Sequence, residues 1–87
     1  MSNIVFLPGG WSDYQSWVEE NNRRILKKIR ELITDISRNG NIGIGKPEAL
    51  IGDLSGWWSR RITDEHRLIY MTGEDNIYIA KCRGHYV

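Results

Sequence analysis

Arg61, Arg67, Lys81, Arg83 and His85 fall in the last third of the chain, on segments where apolar and polar residues alternate. Side chains alternate faces along a strand, so residues two apart share a face. If Thr63-Asp64-Glu65 makes a tight turn, Arg61 lies directly across from Arg67, while Leu68 and Tyr70 point the other way. A three-residue turn at 73–75 sets Lys81 beside Arg67, on the face shared by Arg83 and His85. Tyr78, Ala80, Cys82 and Tyr86 then take the opposite face, and a two-residue turn reverses the assignment. Cations gathered on one open face repel each other unless an anion joins them, and a phosphodiester is an obvious one. The alternative is a solvated sheet surface whose cations pair with Glu48, Asp53, Asp64 and Glu65. Pattern alone leaves both readings open.

Glu48, in Lys46-Pro47-Glu48, becomes a candidate base only if its loop folds over that face. His66, alone beside a turn, reads as structural or exposed. Residues 23–30 hold five basic groups and no acid, a stretch suited either to solvent or to phosphates. Net charge is only +1, so charge balance by itself does not announce a nucleic-acid binder.

The elements that must position these residues follow from spacing. Ile4 to Leu7 reads as a short buried strand stopped by Pro8-Gly9-Gly10. A first helix carries Trp11, Tyr14, Trp17 and Val18 at helical spacing, with Ser12 and Gln15 as a capping box. Asn21-Asn22 breaks the run and can cap a second helix with an Ile25, Ile29, Leu32, Ile36 stripe, widened by Leu26 and Ile33. Gly40 closes it. Residues 40–56 read as a glycine-rich loop, and residues 57–86 as a three-stranded meander. The sum is one α+β domain over residues 1–87, in the order β-α-α-β-β-β, with helices on one sheet face and the other face free for a site.

The remaining composition narrows the setting. With 40% hydrophobic and 26% charged residues, the chain is that of an ordinary globular protein. Cys82 is the single cysteine, so no disulfide forms within the chain and a reducing compartment is favoured. The apolar run at the N-terminus is too short for a signal peptide or a membrane span, so the chain reads as cytoplasmic, without membrane association. Four Trp and four Tyr exceed what so small a core needs, which marks Trp11 and Trp17 as candidates for an interface.

The stretch GKPEALIGDLSGWWSRRITDEHRLIY, followed by IAKCRGHY, closely resembles the YoeB/Txe toxins of the RelE-like superfamily. The likeness is strong over 43–86, good over 11–36 and weak over 1–10. It implies a RelE-like helical hairpin on a twisted, mainly antiparallel sheet. It also implies metal-free, cofactor-free cleavage of mRNA in the ribosomal A site, with the substrate's 2′-hydroxyl as nucleophile. By position, Glu48 matches the family's general base, His85 its general acid, and Arg67 the arginine that holds the phosphate. Tyr86 matches a C-terminal tyrosine that orients RNA. Lys46 and Arg61 match supporting cations, Glu65 an acid near Arg67, and Arg83 stands in the CR-x-HY motif. The implied partners are a YefM/Phd-type antitoxin, a second copy of the chain, the ribosome, and operator DNA through the antitoxin complex.

This chain departs from the family at Ile51, where many members carry a basic residue, at Val87, which follows the usual terminal Tyr, and in its FLPGG entry to the first helix. The rival readings are a ParE-like gyrase poison, which has no use for the trio Glu48, Arg67 and His85, and a non-catalytic adaptor for an acidic partner.

Overall fold

The computed structural model describes residues 2–85. Helix α2 (Arg23–Asn39) is the element most directly dictated by local sequence. The Asn22 side chain accepts the Ile25 N–H at 3.2 Å, satisfying a donor that the first turn leaves open. Gly40, at φ +66°, ends the helix and donates its N–H to the Ile36 carbonyl at 2.9 Å. The expected stripe of Ile25, Ile29, Leu32 and Ile36 is buried, with Leu26 and Ile33 packed at its margins. Full burial of each such side chain contributes about 1.5–3 kcal/mol.

Helix α1 (Pro8–Glu19) begins four residues before the Ser12 capping box expected from the sequence. Pro8 occupies the first turn, where its missing N–H costs nothing and its fixed φ suits a helix. Leu7 precedes it in extended conformation, and no side chain caps the end. Gly10 lies in the helix because α1 presses on the sheet there. A Cβ at Gly10 would stand 2.3 Å from the Ile79 carbonyl oxygen. Tertiary contact thus overrides the poor helix propensity of Gly9-Gly10.

The two helices pack on one face of a five-stranded sheet ordered β1-β5-β4-β3-β2. β1 (Asn3–Phe6) runs parallel to β5 (Asn76–Lys81), and the other pairings, through β4 (Arg67–Thr72), β3 (Trp58–Arg61) and β2 (Glu48–Ala49), are antiparallel. This is the expected α+β hairpin-on-sheet, with two corrections. β1 is an edge strand rather than a buried one, leaving Ile4 40% exposed. Residues 40–56 are not all loop, since Glu48 and Ala49 pair with Ser59 and Trp58, and Gly52–Leu54 forms a 3-10 turn.

The register between β3 and β4 puts Arg61 opposite Arg67, as expected. The β4–β5 register differs. Thr72 pairs with Ile77, not Asn76, because the turn is one residue longer than expected. A bulge then lets Tyr70 oppose Ile79 while Ile69 opposes Lys81. The longer turn and the bulge cancel in parity. Lys81 returns to the face of Arg67, but beside Ile69 rather than beside Arg67 itself. Before the bulge the phase is reversed, so Tyr78 pairs with Met71 on the open face, and Ile77 and Ile79 enter the core in its place. Leu68, Tyr70 and Cys82 face the helices as anticipated.

Candidate functional site

Short strand β2 decides what the open face can hold. Because Glu48 pairs with Ser59, and Ser59 with Ile69, Glu48 stands on the face that also carries Lys81. Two residues along, Arg61 and Arg67 form a second row on that face. Strand spacing and rise set the Glu48 and Arg67 backbones ~12 Å apart, a gap that two long side chains and a phosphate can fill. The intervening segment folds back over the sheet: a Cβ at Gly56 would meet the Met71 Cε at 3.5 Å. Glu48 is exposed on its strand.

Lys46, also exposed, follows Gly45, whose carbonyl accepts the Arg61 N–H at 2.7 Å. The Lys46 backbone has φ +52°, and the glycine beside it has φ +79°, so the loop turns sharply next to Arg61. The loop is fixed from below by Arg60, which is 0% exposed. Arg60 Nη1 donates to Asp35 Oδ2 at 2.5 Å and to the Ile44 carbonyl at 3.0 Å. Its Nη2 donates to the Gly40 carbonyl at 2.6 Å and its Nε to the Tyr70 hydroxyl at 3.2 Å. Hydrogen bonding from Arg60 holds the Asp35 carboxyl below the usual carboxylate value, against an opposing effect of desolvation. Sequence reading overlooked Arg60. The available signal was strand alternation, which places it opposite Leu68 on the helix side.

Among the described residues, Arg67 is anchored through one end of its guanidinium. Its Nη1 donates to the carbonyls of Thr63, Asp64 and His66 at 2.8, 3.1 and 3.2 Å. This leaves the outer edge of the guanidinium to act as a fork for an oxyanion. Among the described residues the ion pairs are Arg60–Asp35 and Arg83–Glu20. Glu65 is exposed, with its N–H on Thr63 Oγ1.

The segment after β5 is tied down residue by residue. Cys82 donates its N–H to Asp13 Oδ2 at 3.0 Å, and its carbonyl accepts from Trp17 Nε1 at 2.8 Å. Arg83, expected on the open face, turns instead to α1. Its Nη1 donates to Ser16 Oγ at 2.8 Å and to Glu20 Oε2 at 2.6 Å, and its Cζ lies 3.9 Å over the Trp17 ring. The reason is local: β5 ends at Lys81, and face alternation does not extend past it. Trp17, 2% exposed beneath Arg83, is thereby removed from the candidates for an interface, whereas Trp11 stays exposed and stacks with Tyr14. His66, as anticipated, is structural. Its Nδ1 accepts the Gly84 N–H at 2.8 Å, and its ring meets Trp17 edge-on at 4.8 Å.

His85 follows directly and is exposed. Tyr86 lies outside the described residues. Burial, with a smaller effect of Asp13, pushes the Cys82 thiol up to about 12, which removes it from nucleophilic roles. Among the described residues no group of three His, Cys, Asp or Glu side chains is placed to hold a metal ion, and no helix is long and apolar enough to cross a membrane.

A helical hairpin covering one face of a mainly antiparallel sheet is the fold of bacterial toxins, including members of toxin–antitoxin pairs. A YoeB/ParE toxin from Agrobacterium tumefaciens superposes with a TM-score of 0.90 at 41% identity, covering 99% of this chain and 100% of that one. The sequence pattern of the YoeB-like toxins of bacterial type II toxin–antitoxin systems matches residues 6–86, and the chain belongs to that family. Toxin YoeB of Streptomyces coelicolor is 51% identical over 83 residues, 95% of this chain and 98% of that protein. YoeB of Staphylococcus aureus has been solved as a dimer, with a TM-score of 0.89 at 46% identity over 98% of each chain. It has also been solved in a heterotetrameric YoeB–YefM complex, with a TM-score of 0.89 at 46% identity over 99% of each chain.

Proposed function

We propose that this toxin is a ribosome-dependent endoribonuclease that cuts A-site mRNA and so stops translation. The observation that carries the reading is the register of β2. It supports a carboxylate and a guanidinium facing one phosphate from two sides, with the His85 segment bonded alongside Arg67. In the reaction, Glu48 takes the proton from the 2′-hydroxyl as that oxygen attacks phosphorus. Arg67 binds the non-bridging oxygens as negative charge builds, and His85 gives its proton to the 5′-oxygen as the P–O5′ bond breaks. The products are a 2′,3′-cyclic phosphate, which can open to a 3′-phosphate, and a 5′-hydroxyl. Lys46 and Arg61 stabilise the RNA backbone, Glu65 acts beside Arg67, and Tyr86 orients the nucleotide. Arg83 contributes through its hold on α1 rather than through RNA. The basic run of α2 suits contact with ribosomal RNA.

A YefM/Phd-type antitoxin is the proposed inhibitor, by likeness to the S. aureus complex, and the pair would bind operator DNA together. A homodimer is proposed on the same grounds. Incubating the toxin with programmed ribosomes and mapping the RNA ends tests the reading. Cuts within the A-site codon bearing a cyclic or 3′-phosphate, with free RNA cut far more slowly, are expected. Intact message together with gyrase-linked DNA breaks would instead support a ParE-like poison, and intact message alone the adaptor.

A further inference from the structure

His66 takes no part in the proton transfers just described, yet it is bonded to the segment that delivers one of them. Gly84, immediately before His85, donates its N–H to His66 Nδ1 at 2.8 Å, and its carbonyl accepts the Arg67 N–H at 3.0 Å. Both backbone polar groups of Gly84 are thus held by two consecutive residues at the start of β4. Gly84 has φ +78°, so the chain turns there in a conformation that glycine tolerates and that these two bonds fix. His66 is itself braced. Its N–H rests on Thr63 Oγ1 at 3.1 Å, its carbonyl accepts from Ile62 N–H at 3.0 Å, and its ring edge abuts the buried Trp17. A strand ladder would satisfy the Gly84 N–H with a carbonyl. Here, past the end of β5, a side-chain acceptor does so, and its loss leaves Gly84 itself held, among the described residues, through its carbonyl alone.

We infer that His66 is a positioning residue for the general acid, setting the place of His85 through Gly84; the inference rests on the assignment of His85 as that acid. The step it governs is the transfer of the His85 proton to O5′ as the P–O5′ bond breaks. Formation of the O2′–P bond and passage of the 2′-proton to Glu48 do not depend on it. Misplacement of a reacting group by about 1 Å can cost on the order of 10²-fold in rate.

The test is single-turnover cleavage of ribosome-bound message carrying either the natural 5′-oxygen or a 5′-bridging sulfur at the scissile phosphate. A thiolate leaves with its electron pair and needs no proton, so defects in the acid disappear on the sulfur substrate. His66→Ala and His66→Gln, whose carbonyl oxygen falls near the Nε2 position, are expected to slow the oxygen substrate by ~10- to 100-fold. His66→Asn, whose Oδ1 falls near Nδ1, is expected to recover to within about threefold of wild type. On the sulfur substrate all three, and His85→Ala, are expected within about threefold of wild type. Thermal midpoints measured alongside separate folding from positioning, and the His66→Gln and His66→Asn pair keeps the side-chain bulk should His66→Ala unfold. A defect that persists on sulfur, or His66→Asn no better than His66→Gln, overturns the inference. His85→Ala cutting the oxygen substrate as fast as wild type would overturn the acid assignment itself, and the inference with it.

Discussion

Removing the charge of Asp35 strands a guanidinium that has nowhere to go. Arg60 is 0% exposed, and Asp35→Asn leaves it with two carbonyls and a tyrosine hydroxyl but no counter-charge. Breaking a buried pair in this way costs about 3–5 kcal/mol. A chain of 87 residues has a total stability of roughly 4–13 kcal/mol, so the variant should lose a large share of it. The reverse change is milder. Arg60→Met strands Asp35, whose side chain is 16% exposed and keeps the Asn39 Nδ2 and Ile44 N–H donors, so a smaller loss is expected. The double variant should therefore be no less stable than Asp35→Asn alone, a coupling of more than ~1 kcal/mol. Urea unfolding followed by tryptophan fluorescence, at one fixed protein concentration, measures all four corners of the cycle. The native carboxyl titrates below its ordinary value of 3.8, so its stabilisation is fully present above that value. It should fade as pH falls through the lowered native value, and Asp35→Asn should abolish that dependence. An Asp35→Asn cost below ~1 kcal/mol, or additive single variants, would refute the reasoning.

Other consequences are simpler to read. Cys82, buried and with its thiol pushed up to about 12, should resist thiol reagents at neutral pH in the folded protein and react fully once unfolded. Rapid labelling of the native chain would contradict this. Gly10→Ala drives a methyl into the Ile79 carbonyl, 2.3 Å away, and should destabilise by about 1–3 kcal/mol in the same urea assay, despite the better helix propensity of alanine. Ile51 is 88% exposed, so Ile51→Lys should leave stability within about 0.5 kcal/mol while strengthening ribosome binding in a salt-sensitive way. Unchanged binding across salt concentrations would remove Ile51 from the RNA-facing surface.

What could be read in the chain follows the range of the forces involved. Helix α2 was legible to its caps, because Asn22, the apolar stripe and Gly40 act within a turn or two of one another. The pairing of Arg61 with Arg67 was legible for the same reason, since a tight turn joins them. The start of α1 was hidden because Pro8-Gly9-Gly10 looks like a stop, and only the Ile79 carbonyl lying against Gly10 explains glycine there. The extra residue in the turn before β5 leaves no mark in the sequence, and it inverts the face of Tyr78, while the bulge at Ala80 returns Lys81 to its expected face. Burial of Arg60 depends on Asp35, which is 25 residues away in sequence. Arg83 left the open face because strand alternation ends two residues before it. For the site, the cations were visible by type and spacing. The roles given to Glu48 and His85 came from family resemblance, since neither a loop glutamate nor a terminal histidine announces chemistry by pattern.

The central claim is that Glu48 and His85 act as base and acid on one phosphate. Single-turnover cleavage of ribosome-bound mRNA by the wild-type chain, Glu48→Ala and His85→Ala tests it most directly. The account predicts a drop of ~100-fold or more for each variant with ribosome binding intact. Variants that cut as fast as wild type, or a wild type that cuts nothing, would contradict it.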